Sequence, residues 1–308
     1  MEDESALFSS NDNATQASPI MTSPVVTEEP SFEQKIRDFI INKNPCVYIL
    51  TPCYGGMCHV DYLHCLLATM ERFRTFGIDL KVEFCKNDSL VSRARNNLVA
   101  KAMNNPRTTH IMFIDSDISW DPNNIINLLL SDKQLVGGIY PLKYYDWKDL
   151  IKDKNNPYNS NVIQSWITRK NQSQFRDAIS DEALVQHKLL RYNVNYINNT
   201  LNIEKNLAEV RHLATGFMMF KRDVIEKMSR AFPSTKYVDD VQFLSGTEND
   251  FAFALFDCGV VDDHYMSEDW MFCERWRQMG GKIFIDVSIP LSHSGTETFR
   301  GCYLSSLI

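Results

Sequence analysis

Short apolar runs alternate with longer amphipathic stretches through the first half of the chain. Cys46-Val47-Tyr48-Ile49-Leu50-Thr51 has the length of a strand, and His59 to Thr75 repeats its apolar residues with a helical period before Gly77 stops it. A second strand is predicted from Asp79 to Cys85, and Ser89 stands where it would cap a helix from Leu90 to Met103. Ile111-Met112-Phe113-Ile114 is continuously apolar, the signature of a strand covered on both faces in a parallel sheet. Pro122 occupies the favoured first turn of another helix, and Leu135 to Tyr140 makes a fourth strand. This βαβαβαβ order predicts the α/β class, a mostly parallel sheet flanked by helices within one domain.

The pattern changes after Tyr140. Residues 141–210 are rich in Asn, Lys and Tyr without a clear period, and are expected to form an insertion or a lid. Periodicity resumes at Leu213 to Phe220, a strand followed by a helix to about Arg230. A short strand is expected at Phe251 to Phe256, a helix from Glu268 to Met279 stopped by Gly280-Gly281, and a last strand from Lys282 to Ile285. Residues 1–32 are acidic and rich in Ser, Thr and Asn, which predicts a disordered tail ahead of a domain at 33–308. That tail lacks the basic and apolar segments of a signal peptide, and no apolar run reaches the roughly eighteen residues of a membrane span.

With 308 residues, 44% of them hydrophobic, the chain can bury a sizeable core. The formal charge of -7 and the absence of a clustered Lys/Arg stripe argue against nucleic acid as a partner. Eight cysteines contain no C-x-x-C pair, which argues against zinc; they read as free thiols and, with the missing signal, point to a cytoplasmic protein.

The chemistry concentrates where the strand at 111–114 ends, at Asp115-Ser116-Asp117. Ligands bind at the carboxyl ends of strands in open α/β sheets. Two carboxylates one residue apart repel unless a positive charge lies between them, and Mg²⁺ or Mn²⁺ takes oxygen ligands and bridges to phosphate. The same three residues also read as a solvated turn capping the next helix.

Other motifs accompany this turn in a fixed order: Thr51-Pro52-Cys53-Tyr54, Ser92-Arg93-Ala94-Arg95-Asn96-Asn97, Ala214-Thr215-Gly216-Phe217, and Ser267-Glu268-Asp269-Trp270 followed by Phe272, Cys273, Arg275, Gly280, Asp286 and His293. On this ordered set the chain resembles the nucleotide-sugar-dependent glycosyltransferases of the GT-A fold, particularly the inverting group called glycosyltransferase family two, over roughly residues 45–300. The resemblance implies that Thr51, Pro52, Cys53 and Tyr54 cradle the base and ribose, with Arg93 and Asn96 also at the donor. It makes Asp115-Ser116-Asp117 a DXD motif, with Asp117 a direct metal ligand and Asp115 shared between metal and ribose. His293, in the pattern Leu291-x-His293-x-Gly295, would complete the shell with a neutral imidazole, a mixed set that suits Mn²⁺ better than Mg²⁺. Gly216 would leave room for the acceptor, Asp269 would be the general base, and Glu268 would orient it or bind acceptor.

Simpler readings stand beside these. His293 also fits a structural hydrogen-bonding role, and Glu268 and Asp269 also fit ordinary acids in a first helical turn, whose dipole weakens a carboxylate as a base. Arg93 and Arg95, two apart on a helix, point to different faces; Arg93 is favoured because it lies nearer the strand end, and Lys143 is a further phosphate candidate. Trp270, Phe272 and Trp276 read as core, whereas Tyr144, Tyr145 and Trp147 could face an acceptor.

The implied activity is metal-dependent transfer of a hexosyl or pentosyl group from a nucleoside-diphosphate sugar, UDP-linked first, to a hydroxyl of a glycan, protein or lipid, with inversion. The alternatives are a retaining glycosyltransferase, a silent nucleotide-sugar-binding module, and a nucleotidyltransferase. The last normally carries a basic glycine-rich loop, and Tyr54-Gly55-Gly56-Met57 has no basic residue.

Overall fold

The computed structural model describes residues 30–146, 186, 189–198, 201–295 and 298–307. The expected tail therefore lies almost wholly outside the described residues, as do Trp147 and the middle of the 141–210 stretch. A helix not anticipated from the pattern, α1 (Phe32–Lys43), comes first, with the Ser31 hydroxyl accepting from the Gln34 N–H at 3.2 Å. The predicted alternation then follows: β1 (Cys46–Cys53), α2 (Val60–Phe76), β2 (Asp79–Lys86), α3 (Val91–Asn104), β3 (His110–Ile114), β4 (Ile118–Ser119), α4 (Pro122–Leu130) and β5 (Leu135–Gly137). Gly77 ends α2 at φ 74°, and the Asp121 carboxylate caps α4 ahead of Pro122.

The second half contains β6 (Pro141–Tyr145), β7 (Leu190–Tyr192), β8 (Val194–Asn195), β9 (Ile203–Glu204), β10 (Leu207–Val210), β11 (His212–Leu213) and β12 (Phe217–Lys221). After them come α5 (Arg222–Ala231), β13 (Gly259–Val261), β14 (His264–Met266), α6 (Glu268–Gln278), β15 (Ile283–Asp286), β16 (Pro290–Ser294), β17 (Thr298–Cys302) and a short closing helix.

The central sheet has the order β2-β1-β3-β12-β5-β15-β10-β9. Strands β2, β1, β3, β5, β15 and β9 share one direction, and β12 and β10 oppose them. It is the expected mostly parallel α/β sheet, an arrangement consistent with the Rossmann-like GT-A fold. Alternate side chains go to opposite faces. Val47, Ile49, Met112 and Ile114 pack under α1, α2 and α4, while Tyr48, Leu50, Ile111 and Phe113 pack under α3, α5 and α6.

Four local expectations are corrected. The fourth strand ends at Gly137, and β12 separates it from β3, because strand pairing follows topology and not chain order. Ser89 does not cap α3; the Asp88 carboxylate takes the Leu90 N–H at 2.9 Å instead. Residues 251–256 form no strand: Gly246–Phe251 is a 3₁₀ segment, Phe253 makes only an isolated bridge to Lys236, and Phe256 is a core side chain stacked on Phe272. Finally, Ala208 and Val210 are buried in β10, so the end of the 141–210 stretch belongs to the central sheet.

Candidate active site

The acidic turn leaves the sheet at the carboxyl end of β3, as the apolar run implied. The Asp115 N–H bonds the Gly216 carbonyl at 3.1 Å, the Ile118 N–H closes the turn onto the Asp115 carbonyl at 3.0 Å, and the Ser116 carbonyl accepts from the His59 N–H at 2.9 Å. Beyond the turn, β4 pairs with β16 so that Ile118 lies opposite His293, and the Ser294 N–H reaches the Asp117 carbonyl at 2.8 Å. A three-stranded sheet of β4, β16 and β17 thus carries His293 to Asp117 across 176 residues of sequence, the difference between positions 293 and 117.

The Asp117 Oδ2 faces two basic groups. His293 Nε2 lies 3.4 Å away, and the Lys143 ammonium on β6 forms an ion pair with the same oxygen. Burial alone would raise the Asp117 pKa, but hydrogen bonds from His293 and Lys143 outweigh it and hold the carboxyl at about 2. His293 Nδ1 lies 2.8 Å from the Pro141 carbonyl, to which only an N–H can donate, so Nε2 is the nitrogen that donates to Asp117 or, once its proton is removed, offers a lone pair to a cation.

Asp115 is engaged differently. The Arg95 guanidinium, with its side chain 4% exposed, donates from Nη2 to Asp115 Oδ1 at 2.9 Å and from Nε to Glu268 Oε1 at 3.3 Å. Arg95 thereby ties the end of β3 to the start of α6, and its Nη1 is buried without a partner among the described residues. Tyr140 lies alongside: its ring meets His293 edge-on at 5.0 Å between centroids, and burial, with Asp115 and Asp269 nearby, pushes its hydroxyl well above the ordinary value.

Asp269 is buried in the first turn of α6. Ser267, the residue before the helix, turns its hydroxyl onto Asp269 Oδ1, which also accepts the Trp270 N–H at 2.8 Å. Burial pushes the Asp269 pKa up and the Glu268 charge adds to this, against the Ser267 and Trp270 hydrogen bonds and Arg95; the net direction is upward. Desolvation is the largest influence on this carboxyl.

Several anticipated residues stand elsewhere. Arg93 forms a paired contact with Asp88, at 2.8 and 2.9 Å, on the rim of α3; the helix turns Arg95 inward in its place. Asn96 is buried with both amide atoms bonded to the Phe256 backbone, at 2.7 and 2.9 Å. The Thr51 hydroxyl is buried 2.6 Å from Tyr62 Oη, Cys53 is buried, and Tyr54 is exposed beyond the half-buried Pro52. A Cβ at Gly216 would come within 2.6 Å of the Tyr140 ring, so the missing side chain there admits Tyr140. Phe272 and Trp276 are core as expected, Trp270 stacks on His212 at 4.8 Å, and Tyr144 is exposed. The sequence carried a signal for Arg95 in the Arg-x-Arg spacing, and for Tyr140 only in its place after Gly137-Gly138.

Among the described residues no three His, Cys, Asp or Glu side chains converge as a metal shell. The donor chemistry still fits a divalent cation in part. Asp117 Oδ2 and the His293 Nε2 lone pair make a carboxylate-imidazole half-site, backed by a carbonyl on the far ring nitrogen, and a cation, the Lys143 ammonium, already lies on the same oxygen. All eight cysteines are free. Among the described residues no helix is long and apolar enough to cross a membrane.

No protein-family model and no curated protein matches the sequence. Among solved structures, the chain is similar to A197 from STIV (13% identity, TM-score 0.43, covering 81% of this chain and 86% of that one). A glycosyltransferase involved in glycosylation of the major capsid of PBCV-1 matches with 14% identity and TM-score 0.22 over 46% of this chain and 75% of that one. The 4-diphosphocytidyl-2C-methyl-D-erythritol synthase from Anaerococcus prevotii matches with 11% identity and TM-score 0.28 over 76% and 99%. Function is therefore read from the residues of the site.

Proposed function

We propose that this chain is an inverting glycosyltransferase that moves a sugar from a nucleoside-diphosphate donor to a hydroxyl acceptor. The observation that carries the reading is the Arg95 bridge, which joins Asp115 of the acidic turn to Glu268 beside the buried Asp269. The acidic turn that carries Asp117 and the helix start that carries Asp269 are thus tied to one guanidinium.

In this mechanism Asp269 accepts the proton of the acceptor hydroxyl as its oxygen attacks the anomeric carbon from the face opposite the diphosphate. The bond from that carbon to the diphosphate oxygen breaks, its electron pair leaves with the nucleoside diphosphate, and Asp269 returns its proton to solvent. Arg95 holds Glu268 and Asp115 in place and keeps positive charge near the departing group. Asp117 and His293 would hold Mn²⁺ or Mg²⁺, with the remaining ligands supplied by donor phosphate and water; bound there, the cation offsets charge developing on the diphosphate. UDP-sugars are the first donors to test, as the family resemblance implies.

The test is binding and turnover of a panel of UDP- and GDP-sugars by the full chain, with Mn²⁺ or with chelator, for wild type and Asp117→Ala. Metal-dependent binding of one donor that the variant loses supports the reading, and an inverted product anomer separates it from a retaining enzyme. Failure of every donor with every metal would make the acidic turn a structural element.

A further inference from the structure

The cation place beside Asp117 is filled from within the chain. Lys143 lies on β6, six residues after Gly137 at the end of β5, and its ammonium contacts the same Asp117 oxygen that faces the imidazole of His293. That oxygen cannot serve a divalent ion and an ammonium at full strength together: the two cations would repel across one carboxylate, with Asp117 24% and Lys143 34% exposed and solvent screening part of the charge. The Lys143 stem is long and partly exposed, so the ammonium has room to leave. His293, in contrast, is fixed by its Nδ1 contact to the Pro141 carbonyl, two residues before Lys143.

Building on the glycosyltransferase reading, we propose that Lys143 is an intramolecular counter-ion for Asp117 that a divalent cation must displace. The free chain is then neutral at this point without metal, and cation affinity is held down by the ion pair that has to break. A nucleoside diphosphate strengthens cation binding in two ways: its oxygens complete the metal shell, and they give the displaced ammonium a new partner. The coupling is reciprocal, so the cation strengthens diphosphate binding by the same factor.

The experiment is Mn²⁺ titration of the full-length protein without donor, followed by the electron paramagnetic resonance signal of free Mn²⁺, for wild type, Lys143→Met, Lys143→Arg and Asp117→Asn. Lys143→Met is expected to bind Mn²⁺ roughly three- to tenfold more tightly than wild type, since a partly buried ion pair no longer competes. Lys143→Arg keeps the competing charge and is expected to stay at or below wild-type affinity, and Asp117→Asn to lose binding. Equal or weaker binding by Lys143→Met, with Asp117→Asn still losing it, would overturn the counter-ion role while leaving the metal site intact. Absence of Mn²⁺ binding in wild type and all variants, with UDP present or not, would overturn the metal reading itself, and the counter-ion role with it.

Discussion

The acidic turn after β3 and the first turn of α6 meet at Arg95, yet their surroundings drive a carboxylate of each, Asp117 and Asp269, in opposite directions. Asp117 meets an imidazole and an ammonium and is held at about 2, so it stays ionised over the whole working range. Asp269 is buried beside another acid, and its pKa rises despite hydrogen bonds to Ser267 and Trp270. A pair of carboxylates separated in this way can divide the labour, one fixed as a charge and the other able to take a proton.

The largest effect is expected at the basic member. Asp269→Asn should lower turnover by on the order of 10²–10⁴-fold, the usual contribution of a general base, while donor affinity from equilibrium titration stays near wild type. Loss of donor affinity with unchanged turnover would invert the assignment. At the acidic turn, Asp117→Asn should reduce metal-dependent turnover by roughly 10²–10³-fold, with donor affinity in chelator unaltered. Gly216→Ala tests the wall between the two regions: its Cβ would press on the Tyr140 ring, and a loss of about 1–3 kcal/mol is expected in denaturant unfolding.

The opposed shifts also predict opposed pH dependence of stability. The folded Asp117 carboxyl is depressed from 3.8 to about 2, so its contribution is present above the unfolded value and is lost as pH falls from about 4 through 2. The shift corresponds to about 2 kcal/mol, which Asp117→Asn should remove at neutral pH and leave unchanged near pH 2. For Asp269 the folded carboxyl is raised, so it costs stability above its folded pKa and is relieved at lower pH. Asp269→Asn should therefore be more stable than wild type at pH 7, the smallest effect here and one typical of groups kept for function at the expense of stability. A less stable Asp269→Asn would mean that the Ser267 and Trp270 hydrogen bonds outweigh burial.

The alternation of apolar runs made β1, β2, β3 and β5 readable because each run lies within one strand of the sheet, and the period itself carries the information. In the second half the strands are short and their partners distant: β6 pairs with β7, and β4 with β16, contacts no local pattern announces. The acidic turn and the Glu268-Asp269 pair were visible as motifs. What joins them was not, since the choice between Arg93 and Arg95 depends on which face of α3 the sheet covers. Thr51 and Asn96 looked like ligand-binding polar residues but bond Tyr62 and the Phe256 backbone in the core, a role that depends on burial and so leaves no mark in the sequence.

The place of β12 bears on how this chain is made. Its residues pair with β3, Phe217 opposite Ile114, and with β5, Met218 opposite Gly137, so the strand that fills the middle of the sheet emerges roughly a hundred residues after one neighbour and eighty after the other. Until then the nascent chain carries two open inner edges, both apolar and both competent to pair with another molecule. Synthesis halted near Tyr145 would leave a fragment that has every helix of the early pattern and no closed sheet, a species prone to aggregate, whose maturation depends on shielding until the late strand arrives.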